Sequence, residues 1–79
     1  MTVGARVRSA RNRRVWTQED LARESGVPVV TISRIENDRH EGQPRPSTVR
    51  QLAAALGVEP AWLLFGDEEE TERESRGAN

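Results

Sequence analysis

Glycines and prolines divide this chain into short segments before any other feature acts. Gly26 is followed by Pro28, Gly57 by Pro60, and Gly66 comes directly after Phe65. Between these breaks, apolar residues recur at helical spacing, and no stretch alternates as a strand would. An all-α domain of five short helices is therefore predicted. The first helix spans about 3–14, with Val3, Val7 and Ala10 on one stripe and Arg6, Arg8, Arg11, Arg13 and Arg14 around it. Thr17-Gln18-Glu19-Asp20 reads as a capping-box start for a second helix over 18–25, which Gly26 stops. Pro28 suits the first turn of a third helix over 28–37, since its missing N–H is no loss there. Residues 38–46 form a surface loop. Ser47 is expected to cap a fourth helix whose apolar face is Val49, Leu52, Ala53 and Leu56, ending at Gly57. Pro60 opens a short fifth helix, PAWLLF.

The chain has 79 residues, room for one domain with a limited core. It has no cysteine, which excludes disulfides and thiolate metal sites. No apolar run approaches the roughly 18 residues of a membrane span, and the start does not read as a signal peptide. A cytoplasmic location is expected. Charge is unevenly spread. Residues 1–66 hold ten Arg against seven acids, +3, whereas residues 67–79 hold two Arg against six acids, −4. A basic body over 1–66 and an acidic tail over 67–79, DEEETERESRGAN, are the two parts expected, the tail as a frayed helix or disordered chain. His40, alone in the loop, reads as a solvated residue, and the acidic run 67–70 as self-repelling chain rather than a metal site. No nucleophile–base pair, phosphate loop or paired-carboxylate site can be assembled, so neither an enzyme nor a cofactor is expected.

The third helix carries the sharpest signal. At about 100° per residue, Pro28, Thr31, Ile32 and Ile35 share one side. Val30, Ser33 and Asn37 lie opposite, flanked by Val29 and Arg34. A solvated helix face usually carries Glu, Lys or Gln. Two valines, a serine, an arginine and an asparagine instead suit the major groove of DNA, where valine meets thymine methyls and Arg meets guanine or phosphate. Val29 has a second reading, at the edge of the core.

Here the sequence resembles a known family. TQEDLARESGVPVVTISRIEN, followed by LAAALGV and AWLLFG, is similar to the phage repressor and Cro type of helix-turn-helix domain, the xenobiotic-response-element-like family of bacterial regulators. The likeness covers about residues 3–66. It implies a lambda-repressor-like bundle in which Thr17 and Gln18 touch phosphate and the third helix enters the major groove. By the same resemblance, Val29, Val30, Ser33 and Arg34 stand where bases are read, and Asn37, Arg39 and Arg45 where phosphate is gripped. Arg11 and Glu36 match a structural ion pair, against the plainer reading of a surface pair. Trp62, Leu63 and Phe65 match a region of dimer contact, against the plainer reading of core; Trp16 reads as core between the first two helices. Two departures stand out. Pro28 replaces a Ser or Thr, losing a cap, and the loop after Asn37 is longer than the family's.

Two functions follow as expectations. One is a sequence-specific transcriptional regulator of bacterial or phage origin, nucleoid-associated, acting on double-stranded DNA as a homodimer at an inverted repeat. The other is an antitoxin or protein-interaction module whose acidic tail binds a protein partner, with DNA binding secondary.

Overall fold

The computed structural model describes residues 1–39 and 42–66. The readings of His40 and of the tail over 67–79 lie outside the described residues. Five helices follow in order: α1 (Val3–Arg13), α2 (Gln18–Ser25), α3 (Val29–Glu36), α4 (Pro46–Leu56) and α5 (Pro60–Phe65). No strand occurs among the described residues.

Local chemistry sets most boundaries. Thr2 caps α1 by accepting from the Ala5 N–H at 3.1 Å. The capping box of α2 is complete: Thr17 Oγ1 accepts from the Asp20 N–H at 3.0 Å, and Asp20 Oδ2 from the Thr17 N–H at 2.9 Å. Gly26 then takes the left-handed conformation, φ 76°, and ends the helix. Pro28 sits one residue ahead of α3, which has no side-chain cap, as the loss of a Ser or Thr there implies. Pro28 is thus the cap rather than the first helical residue, and a second boundary also differs from expectation. Helix α4 starts at Pro46, with Arg45 rather than Ser47 at the cap position. Proline's fixed φ is already helical and its missing N–H would be unpaired there anyway, so Ser47 falls inside the first turn.

The core gathers Val7, Ala10, Leu21, Val27, Ile32, Ile35, Val49, Leu52, Ala53, Leu56 and Leu63. Eight of these belong to the stripes predicted for α1, α3 and α4, to which Leu21, Val27 and Leu63 are added, while Val3 is only half-buried against them. Helix α2 packs on α3 and α4, while α1 lies across α3 and α5 and touches α4. Trp16 is half-buried against this core, as expected.

The end of α1 is unusual. The Val15 N–H bonds the Asn12 carbonyl at 2.9 Å and the Trp16 N–H the Arg11 carbonyl at 3.2 Å, a Schellman closure. The left-handed residue in that closure is Val15, φ 57°, which is 89% exposed. A β-branched residue is strained there and packs against nothing that offsets it. Val15→Asn should therefore raise unfolding stability by about 1 kcal/mol, because asparagine tolerates this backbone. Urea titration checks it; an unchanged midpoint would mean the turn does not carry that strain.

Candidate nucleic-acid interface

Helix α3 divides cleanly by exposure. Ile32 and Ile35 are buried, whereas Val30 is 55% and Val29 39% exposed. Arg34 is exposed, and Ser33 and Thr31 are half-buried. The expected outward face is therefore present. Val29, despite its alternative reading as a core-edge residue, stays largely outside the core.

What aims that face is a carboxylate at the end of the helix. The Glu36 side chain is 0% exposed. It accepts from Arg11 Nε at Oε2 and from Arg11 Nη2 at Oε1, both at 2.8 Å. Arg8 Nε at 3.3 Å and Gln18 Nε2 at 3.2 Å complete the set on Oε1. Burial opposes ionisation, but the hydrogen bonds from Arg11, Gln18 and Arg8 outweigh it and hold the carboxyl below its ordinary range. The bond to Glu36 likewise pushes the Arg11 guanidinium up. Arg11 also donates to the Trp16 carbonyl at 2.7 Å. One pair thus ties α1, the turn before α2, and the end of α3, with side chains only 13% and 0% exposed.

Beside α3 lies a basic groove. Thr31, Arg34, Ile35, Arg39, Pro44, Arg45 and Thr48 line it. Arg34, Arg39 and Arg45 come from α3, the loop and the residue before α4, so three guanidiniums and two hydroxyls meet on one edge. Thr31, which angular counting puts on the side of Ile32 and Ile35, and Thr48 were not among the expected contacts. Their signal was only their place in the first turns of α3 and α4.

Other expected contacts sit differently. The Asn37 amide folds back, donating to the Ser33 carbonyl at 2.9 Å, and its oxygen accepts from Arg8 Nη2 at 3.4 Å. Gln18 spends one of its two N–H donors on Glu36. Thr17 is exposed and its hydroxyl keeps a donor hydrogen while accepting from Asp20. Leu63 takes the plainer of its two expected readings, core, and so drops out of the expected dimer patch: it is 0% exposed, because α5 turns that residue onto α1 and α4. Trp62 is half-buried, with one part packed against the core, and Phe65 is 40% exposed.

The arginines of α1 do work that charge counting hid. Arg6 is buried and donates to the carbonyls of Leu63 and Leu64, each at 2.8 Å, and to that of Met1. Arg14 donates to the Leu56 carbonyl at 3.1 Å and lies 5.0 Å above the Trp16 ring. Each therefore caps the C-terminal carbonyls of another helix, α5 and α4, where a cation is also favoured by the helix dipole. The signal for Arg6 was present: it stands three residues after Val3 and four before Ala10, on the apolar stripe.

Two short helices joined at a left-handed glycine, with the second presenting an open face between basic edges, define a helix-turn-helix domain. The family model described as helix-turn-helix matches residues 7–63, and the chain belongs to that family. Over 62 residues it is 40% identical to the HTH-type transcriptional repressor RghR of Bacillus subtilis (strain 168), covering 78% of this chain and 45% of that protein. Among solved structures, the P22 c2 repressor in complex with synthetic operator 9T superposes with a TM-score of 0.77 at 33% identity, covering 85% of this chain and 98% of that one. The SinR/SinI complex gives a TM-score of 0.77 at 26% identity, covering 98% of this chain and 78% of that one. The chain spans about half the length of the curated relatives it matches.

Proposed function

We propose that this chain is a sequence-specific DNA-binding transcriptional regulator that lays α3 in the major groove of each half of an inverted repeat, two copies at a time. The observation that carries the reading is the open face of α3, where Val30 and Val29 stay exposed beside Arg34 while Ile32, Ile35 and Glu36 are buried. An exposed β-branched pair gains nothing in the free monomer, whereas thymine methyls would cover it in a complex. Val29, Val30, Ser33 and Arg34 read bases. Thr17, Gln18, Asn37, Arg39 and Arg45 hold phosphates, with Thr31 and Thr48 beside the basic groove. Trp62 and Phe65 form the contact between copies. The name of RghR and the operator bound to the P22 repressor support the same reading. Among the described residues no helix is long and apolar enough to cross a membrane, and the setting proposed is the nucleoid of a bacterium or a phage host. No catalytic role is proposed.

Selecting bound sequences from a random duplex pool tests this. The expected product is an inverted repeat with half-site centres roughly 34–36 Å apart. Val30→Ala should relax preference at one thymine position by about 1–3 kcal/mol. Arg45→Ala should leave the preferred sequence alone and reduce the slope of log K against log salt by about 1. A pool that emerges unenriched removes the proposal; an enriched pool with Val30→Ala unchanged removes Val30 from the readout.

A second reading has its own support. The SinR neighbour is solved with another protein, SinI, and residues 67–79 of this chain carry −4. In this reading the domain is an antitoxin-like module whose acidic segment holds a protein partner. Deleting residues 67–79 separates the two: loss of a copurifying protein supports the partner, whereas tighter DNA binding alone assigns the segment to restraint of the domain's own DNA face.

A further inference from the structure

Gln18 is the first residue of α2 and Glu36 the last of α3, yet their side chains meet at 3.2 Å. The acceptor in this contact has no freedom. Its side chain is 0% exposed, held from the other side by two 2.8 Å bonds from Arg11 and one 3.3 Å bond from Arg8. An ionised carboxylate accepts hydrogen bonds and donates none. An amide facing it must therefore present its NH2 edge, not its carbonyl. That removes the two-fold ambiguity of a free glutamine, whose amide turns over readily. With one N–H on Glu36, the second points away from the carboxylate. The side chain is only half-buried, so that second donor has a way out.

We infer that Glu36 is a positioning residue for DNA binding: by accepting one N–H of the Gln18 amide, it holds the other toward a backbone phosphate. The inference rests on the proposed DNA-binding function. Arg11 and Arg8 act one step further back, by fixing the carboxylate. No base is read in this contact, since a neutral amide on a phosphate positions the domain without discriminating sequence.

The effect of Glu36→Gln has a sign that separates positioning from electrostatics. Removing a negative charge beside a DNA-binding face should tighten binding to a polyanion. A positioning role predicts the opposite, since a glutamine at 36 can meet Gln18 with either edge and no longer dictates its orientation. The experiment uses the full chain and a 25-bp duplex of mixed sequence, read by fluorescence anisotropy, with folding of each variant checked by circular dichroism at the assay temperature. Gln18→Ala should weaken binding roughly 3- to 10-fold, the loss of one hydrogen bond. Glu36→Gln should weaken it by a similar factor, and adding Gln18→Ala to it should cause little further loss. Glu36→Gln binding as tightly as the wild type or tighter, or Gln18→Ala costing the same factor in both backgrounds, overturns the inference.

Wild-type protein alone provides a second measurement, independent of whether Glu36→Gln folds. In a 15N-labelled sample the two Gln18 side-chain amide protons, assigned by their disappearance in Gln18→Ala, are followed during addition of the duplex. One should shift and its partner should stay. Both unmoved, with the rest of α3 responding, overturns the inference and leaves DNA binding standing; no response to the duplex anywhere overturns the proposed function first.

Discussion

Replacing Gly4 with alanine should destabilise the protein by about 3 kcal/mol, at the upper end for overpacking a core. Helix propensity alone predicts the reverse, a gain of about 1 kcal/mol for Gly→Ala inside a helix. Packing decides the sign. Gly4 is buried where α1 crosses the end of α3, and a Cβ there would overlap the Ile35 carbonyl oxygen and sit 3.1 Å from the Glu36 Cα. Backbone atoms on the opposing side have no rotamer to give way. Helix α1 would have to lift off α3, taking Arg11 away from Glu36. Urea unfolding checks this. Stability equal to or above wild type would show that the two helices do not approach so closely.

The second large effect is at Glu36 and depends on pH. Truncation to alanine should cost about 3–5 kcal/mol, because the Arg11 guanidinium, only 13% exposed, would lose its counter-charge. The acid limb follows from the direction of the shift. Burial of Glu36 works against its ionised form, but the bonds from Arg11, Gln18 and Arg8 prevail, so the folded pKa lies below the ordinary value of 4.5. A carboxyl whose pKa is lowered by folding stabilises the fold fully above its unfolded value. That contribution is lost as pH falls through the lower, folded value. The melting temperature should thus be insensitive to this group from neutral pH down to about 5, then fall steeply below about 4.5. Glu36→Gln should flatten that acid limb while lowering the plateau. Parallel acid limbs in the two proteins would show that other carboxyls govern the acid transition.

Much of the architecture was legible because it is written locally. The Thr17–Asp20 box and Gly26 each act within four residues of where they stand, and the stripes of α1, α3 and α4 repeat often enough to be read. What was illegible is long-range. Arg6 meets carbonyls 57 and 58 residues away and Arg14 one 42 residues away, and no spacing rule announces such partners. Nothing in the sequence marks Gly4 as a contact point, because the crossing helix is invisible from one segment. Leu63, Trp62 and Phe65 shared the same two readings, core or dimer contact, because a six-residue helix is too short to reveal which side is inward. At the site, the outward set of α3 came from angular bookkeeping, whereas the Arg11–Glu36 pair came only through resemblance. The bond from the Asn37 amide back to Ser33 and the link from Gln18 to Glu36 came from neither, because they depend on rotamers chosen once α1, α2 and α3 have met.

The clasp that Arg6, Arg11 and Arg14 form has a practical consequence for anyone tuning adhesion to polyanions. The N-terminal fifteen residues look like the obvious place to add or remove positive charge. Editing those three guanidiniums would instead loosen the ends of α5, α3 and α4 and confound any change in retention on heparin with partial unfolding. The segment carrying Arg39 and Arg45 is where charge can be dialled independently of the scaffold.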